Sequence, residues 1–197
     1  MHLLKHDTCI MIYKCLVIGF RYYIKDKNGR LKNAPYVDCS YKWAGGGMIS
    51  TAGDLVKFAN AMLYSSQYTH NNPDVPAGYL KASTMRTLWS PVPKTKCSWD
   101  KDGGSYGMGW AVMPKISKYG HGKRRDFYVS HTGGAIGASS VLLILPKSGC
   151  LDDGVEDNKP EKLPQGIAVA IMVNMQGVNL NPVALEIAKI FRKVKFE

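Results

Sequence analysis

The chain has 197 residues, 45% of them hydrophobic and 10% aromatic. That is enough for one domain with a real core, and it is unlike a disordered or collagen-like sequence. The formal net charge of +11 would suit nucleic acid, an anionic membrane or an acidic partner. Its distribution argues against nucleic acid. Lys123, Arg124 and Arg125 form one cluster, and Lys189, Arg192, Lys193 and Lys195 form another; the remaining cations are scattered, with no interleaved-aromatic motif. The cysteines, Cys9, Cys15, Cys39, Cys97 and Cys150, are odd in number, irregularly spaced and without a C-x-x-C pair. They read as free thiols rather than a disulfide scaffold. No two histidines lie four apart with an acid between them, which argues against a zinc site.

In chain order, Cys9 to Phe20 is mostly apolar but is interrupted by Lys14. It is too short to span a bilayer, and no small-x-small cleavage site follows. A signal peptide, a buried strand or helix, and a segment outside the domain all stay open for residues 1–20. Tyr22, Tyr23 and Ile24 suit a strand, and Asn28-Gly29 suits the hairpin turn after it, because that pair takes positive φ readily. Gly45-Gly46-Gly47 is expected to be neither helix nor stable strand. Ser50 or Thr51 then caps a helix, with Asp54 as its capping acid. Leu55, Phe58, Ala59, Met62 and Leu63 recur at helical spacing, which predicts a helix over about 51–64.

Residues 65–77 read as a polar loop. Ser83 is expected to cap a short helix to about Leu88, which Pro91 and Pro93 end. After a second loop the pattern turns to strands: Tyr106 to Met113, Phe127 to Thr132, Ser139 to Leu145, and Ile167 to Val173. The last is continuously apolar and is expected to be buried on both faces. Pro182 opens a final helix with Val183, Leu185, Ile187, Ala188 and Phe191 as its apolar positions. Strand after strand and then a helix predicts an α+β fold, an antiparallel sheet of four or five strands with the last helix packed on it.

The residues that carry chemistry are Val129-Ser130-His131-Thr132-Gly133-Gly134. A polar trio ends an apolar strand and glycines follow at once, which leaves backbone N–H groups free to meet a ligand at a strand edge. The same string also suits a plain hairpin with a surface histidine. His-Thr-Gly-Gly before a small-residue turn and an apolar strand resembles the Lys/His-Thr-Gly element of serine β-lactamases and penicillin-binding proteins. Three further segments agree in order: Ala44 to Leu55 with its Gly-Gly-Gly and Ser-Thr, Tyr106-Gly107-Met108-Gly109-Trp110, and Ser139 to Pro146. The finer resemblance is to an animal mitochondrial branch of that family. It rests on Asn33 to Asp38, Ser40-Tyr41-Lys42-Trp43 and Ser98-Trp99-Asp100-Lys101.

The resemblance begins at about residue 21 and implies a partial β-lactamase/transpeptidase-like fold, with residues 21–197 as the C-terminal part of the domain and residues 1–20 outside it. It implies a serine hydrolase, peptidase-like and working through an acyl-enzyme, on a peptide or amide substrate. It implies no cofactor or metal, a mitochondrial location and assembly into a homo-polymer. His131 would stand for the lysine of Lys-Thr-Gly and donate to a substrate carboxylate or help move a proton. Thr132 would hydrogen-bond the substrate, and the Gly134 N–H would be an oxyanion donor. The family's nucleophile is a serine in Ser-x-x-Lys at a helix start. The one such string here, Ser98-Trp99-Asp100-Lys101, sits in a charged, Gly-rich loop after the glycine-rich helix start, and no apolar helix follows to bury Lys101. It reads as a decoy, so this polypeptide is expected to lack the nucleophile. The other readings are a structural or interaction module, or a basic membrane- or nucleic-acid-surface binder.

Overall fold

The computed structural model describes residues 21–38, 41, 43–46, 48, 50–68, 76–97, 104–116, 125–147 and 164–193. Strands β1 (Tyr23–Lys25) and β2 (Leu31–Asn33) form an antiparallel hairpin. The Asp26 carboxylate accepts from the Asn28 and Arg30 amides at 2.9 and 3.0 Å, and Gly29 takes φ +76°. An acceptor at the turn start and a glycine where φ must be positive are what the local sequence supplies.

The glycine-rich segment departs from expectation. Trp43–Gly46 is one α-helical turn, α1. Ala44, Gly45 and Gly46 are exposed there. A single turn does not accumulate the cost of roughly 1 kcal/mol per glycine that disfavours a longer glycine helix. Helix α2 (Ala52–Gln67) follows. It begins where the capping pattern placed it: Thr51 is extended, and its Oγ1 accepts from the Asp54 amide at 3.1 Å. Ala59, Met62 and Leu63 are its buried apolar residues. At its far end the Gln67 side chain donates to the Gln165 carbonyl at 2.6 Å and accepts from the Gln165 amide at 2.7 Å, which clips the helix to the strand beside it.

The Asp54 carboxyl is held below its ordinary value by a hydrogen bond from Lys57, then by the Thr51 hydroxyl and the Lys57 charge. A carboxylate depressed on folding contributes stability that is present above its unfolded pKa and lost as pH falls through the folded value. Asp54→Asn is therefore expected to lower the thermal unfolding midpoint at neutral pH. The difference from the parent should close as pH drops below the carboxylate range, as calorimetry at two pH values would show. A gap independent of pH would reject the cap's electrostatic part.

Helix α3 (Ala82–Leu88) is capped by Lys81 without a side-chain bond, not by Ser83. Ser83 lies one residue inside the helix, and its carbonyl accepts from the Thr87 hydroxyl at 3.2 Å. The expected strand from Tyr106 to Met113 is two strands, β3 (Ser105–Tyr106) and β4 (Ala111–Met113). Met108-Gly109 turns the chain between them, with Gly109 at φ +80° and the Gly107 amide donating to the Trp110 carbonyl at 2.7 Å.

Strands β5 (Tyr128–Ala135), β6 (Ala138–Pro146) and β7 (Gly166–Val173) complete an antiparallel sheet of order β3-β4-β5-β6-β7. Helix α4 (Asn181–Lys193) closes the described chain. Alternation along the strands divides two cores. Val112, Val129, Leu142 and Ile144 pack with Ala59, Met62 and Leu63 of α2 on one face. Val141, Leu143, Leu145 and Val169 pack with Ala184 and Ala188 of α4 on the other. The α+β class, the sheet and the packed last helix are as expected. One expectation fails: β7 is not buried on both faces, and Val169 is its one buried residue. Among the described residues β7 is an edge strand, joined at its end by an isolated parallel bridge between Tyr23 and Met175. An edge strand keeps solvent along one side whatever its composition.

Part of the charge finds a local explanation. Arg192 and Lys193 lie in the last turn of α4, where a cation meets the negative end of the helix dipole. Arg192 also pairs with Asp126. No described helix is long and apolar enough to cross a membrane.

Candidate functional site

His131, Thr132 and Gly134 lie in succession on β5. Strand β4 pairs with β5 only as far as Ser130, opposite Ala111. Beyond Ser130 that edge of β5 faces no other described strand. The other edge is paired with β6 to the hairpin end, Thr132 with Val141 and Gly134 with Ser139. The hairpin closes on Ala135 and Ala138 through the two-residue turn Ile136-Gly137.

Antiparallel pairs alternate between hydrogen-bonded and non-hydrogen-bonded, counted here from the closing pair Ala135–Ala138. Gly134 and Thr132 therefore fall at non-hydrogen-bonded positions, and their N–H and C=O groups point away from β6 along the open edge. A Cβ built on Gly134 would meet nothing within 4 Å. The sheet face is therefore open at Gly134, and the residue is exposed.

His131 pairs with Leu142, so it shares the face turned toward α2. Thr132 pairs with Val141 and shares the α4 face. The two side chains do not converge. What His131, Thr132 and Gly134 have in common is the edge itself, on which Thr132 and Gly134 offer backbone donors. His131 is exposed, and its Nε2 lies 2.7 Å from the Tyr106 hydroxyl. The two rings meet edge to face, with centroids 6.0 Å apart. Although β4 lies between β3 and β5, the Met108-Gly109 turn ends the hairpin just where Tyr106 can reach His131. Nearby, Trp110 stacks on Phe58 of α2 and meets Trp89 edge-on. This aromatic group ties the turn to the helix layer and fixes where β3 runs.

Sequence reasoning attached no role to Tyr106. The available signal was its position at the first strand of a tight Tyr-Gly-x-Gly-Trp hairpin. Ser98 and Lys101 lie outside the described residues. Cys97 is buried, and its Sγ donates to the Ser105 carbonyl at 2.9 Å. Among the described residues no three His, Cys, Asp or Glu side chains gather as a metal set.

The sheet has helices on both faces, and its His131-Thr132-Gly133 strand turns the Thr132 and Gly134 amides to an open edge. The chain belongs to the Beta-lactamase family, whose model matches residues 20–189. It is 52% identical over 176 residues to the serine beta-lactamase-like protein LACTB, mitochondrial, of Mus musculus, and equally to that of Homo sapiens. Each alignment covers 88% of this chain and 31% of the relative, so the chain spans about a third of the length of these curated relatives. Among solved structures, the octameric penicillin-binding protein homologue from Pyrococcus abyssi superposes with a TM-score of 0.57 at 19% identity, over 88% of this chain and 31% of that one. At that identity the likeness establishes the fold.

Proposed function

We propose that this chain carries the substrate-binding side of a serine hydrolase site, the C-terminal portion of a β-lactamase-related, peptidase-like domain, and that the 197-residue polypeptide alone does not catalyse acyl transfer. The observation that carries the reading is the open edge of β5. There the Thr132 and Gly134 amides point outward beside His131. The Gly134 amide, held on a rigid strand, can be one donor to a carbonyl oxygen as negative charge develops on it, while Thr132, one strand repeat away, can hydrogen-bond another part of the substrate. His131 stands beside them as a donor to a carboxylate or carbonyl of a peptide or amide substrate. The domain would begin at about residue 21, with residues 1–20 outside it. The names of the relatives support a mitochondrial location; self-assembly into a homo-polymer is part of the same proposal, and the fold neighbour is itself an oligomer, an octamer.

An oxyanion site without an attacking group binds but does not turn over to any useful degree. Incubation of the purified polypeptide with a fluorophosphonate or a chromogenic β-lactam should leave its intact mass unchanged. A longer form that includes a Ser-x-x-Lys helix should label clearly. An adduct on Ser98 that disappears in Ser98→Ala and weakens in Lys101→Ala would overturn this reading.

A further inference from the structure

We propose that Tyr106 is a positioning residue for His131: its hydroxyl donates to Nε2 and holds the neutral imidazole in the Nδ1–H tautomer, so that the group His131 turns to a ligand is a fixed N–H donor. This rests on the substrate-side reading of the β5 edge.

The Tyr106 oxygen and His131 Nε2 are 2.7 Å apart, a full hydrogen bond. Two arrangements satisfy that distance: the phenol donates to a bare Nε2, or an Nε2–H donates to the phenol oxygen. A phenol is a good donor and a poor acceptor, because its oxygen lone pair is drawn into the ring. A bare imidazole nitrogen is a strong acceptor. The first arrangement matches the better donor to the better acceptor, and it leaves the proton on Nδ1. In a neutral imidazole the hydrogen bond made at one nitrogen decides what the other nitrogen does.

The consequence lies at the site. With Nε2 engaged by Tyr106, Nδ1–H is the remaining polar atom of the ring. It joins the Thr132 and Gly134 amides as a donor, and a set of donors on one strand end selects ligands that present oxygens. The edge would favour a carbonyl or carboxylate over an amine. Tyr106 acts through His131, the ring its hydroxyl meets. Its own placement comes from the β3–β4 hairpin. The Thr95 Oγ1 donates to the Tyr106 carbonyl at 2.8 Å and accepts from the Tyr106 amide at 3.0 Å.

Long-range nitrogen–proton correlation spectra of the 197-residue chain, recorded where imidazole is neutral, read each histidine's tautomer without any substrate. His131→Gln assigns the His131 signals. The parent should show His131 mainly as Nδ1–H. In Tyr106→Phe, which keeps the ring and removes the hydroxyl, the tautomer ratio should shift toward Nε2–H by about fivefold, the equivalent of one ordinary hydrogen bond. Replacing tyrosines throughout with 3-fluorotyrosine, whose hydroxyl is a stronger donor, should raise the Nδ1–H fraction. That arm reads the contact even if Tyr106→Phe does not fold. A parent mainly in the Nε2–H form, a tautomer unmoved by Tyr106→Phe, or an Nδ1–H fraction not raised by fluorotyrosine would each overturn the proposal. None of these outcomes depends on acylation, so the absence or presence of a serine adduct is judged separately.

Discussion

Gly137→Ala is expected to lower the unfolding free energy by about 2–5 kcal/mol, as a shift in the urea midpoint at unchanged slope. Two effects add. Gly137 sits at φ +87°, where an alanine costs roughly 1–2 kcal/mol. An added Cβ would also lie 2.5 Å from Tyr22 Cβ and 2.7 Å from Ala34 Cβ. Those atoms are not the ends of flexible side chains, so relief requires moving backbone, at about 1–3 kcal/mol. The β1–β2 hairpin is pinned close by. The Tyr23 amide donates to the Asn174 carbonyl at 2.9 Å, the Gln176 amide to the Tyr23 carbonyl at 3.0 Å, and the Asn174 side chain to the Arg21 carbonyl at 2.8 Å. The hairpin therefore cannot swing aside without losing bonds. A midpoint within about 0.5 kcal/mol of the parent, the scatter of ordinary surface substitutions, would show that the β5–β6 turn and the first hairpin are not in tight contact.

That contact illustrates what the sequence did and did not disclose. The elements that announce themselves locally were legible: the Asn28-Gly29 turn, the Thr51 cap with Asp54, the α2 periodicity and the two long strands β5 and β6. Each follows from residues within a few positions of one another. The failures came where a tertiary neighbour decides. Tyr106 to Met113 has the composition of one strand, and only the pairing of Tyr106 with Ala111 shows it folded back. A signal was present, since Gly109 stands second in the turn just as Gly137 does, both with φ near +80° to +90°. An all-apolar β7 reads as a core strand because composition cannot distinguish a central strand from an edge. Ser83 looked like a cap, but the cap is Lys81, two residues earlier, within the usual uncertainty of helix ends.

The candidate site was half legible. His131, Thr132 and Gly134 follow from a motif that is contiguous in sequence. Their shared property, an unpaired edge, does not. It depends on β4 stopping at Ala111 opposite Ser130, a fact about a strand some twenty residues earlier. Tyr106 is further still from what sequence can show, because its role arises from a hydroxyl meeting an imidazole across an intervening strand. The alternation that places His131 and Thr132 on opposite faces was available from the strand assignment. It turns the Thr132 backbone to the edge and leaves His131 as the side chain on the α2 face beside it.

Leu143→Ala should be the most damaging truncation in the described core, at about 3–5 kcal/mol. Leu143 lies on β6, which has β5 on one side and β7 on the other, and the side chain is fully buried beneath α4. The value belongs near the top of the leucine range because of what surrounds it. Helix α4 meets the sheet through Ala184 and Ala188, both fully buried. An alanine has no rotamer to swing into a gap, so at these two contacts the cavity can close only by moving the helix. That helix is held at its far end by the Arg192–Asp126 pair. The cost should therefore include most of the cavity and not merely the lost transfer of a leucine side chain. Met172→Ala supplies the control. It lies on the neighbouring strand, is 44% exposed, and leaves no closed void, so it should cost under about 1 kcal/mol. If both variants lowered stability equally, the α4 face of the sheet would not be the close-packed core described. If Leu143→Ala alone does so, as a shift in denaturation midpoint with unchanged slope, then α4 and β6 form one packed unit, and the rigidity of the β5 edge that bears His131 and Gly134 derives from it.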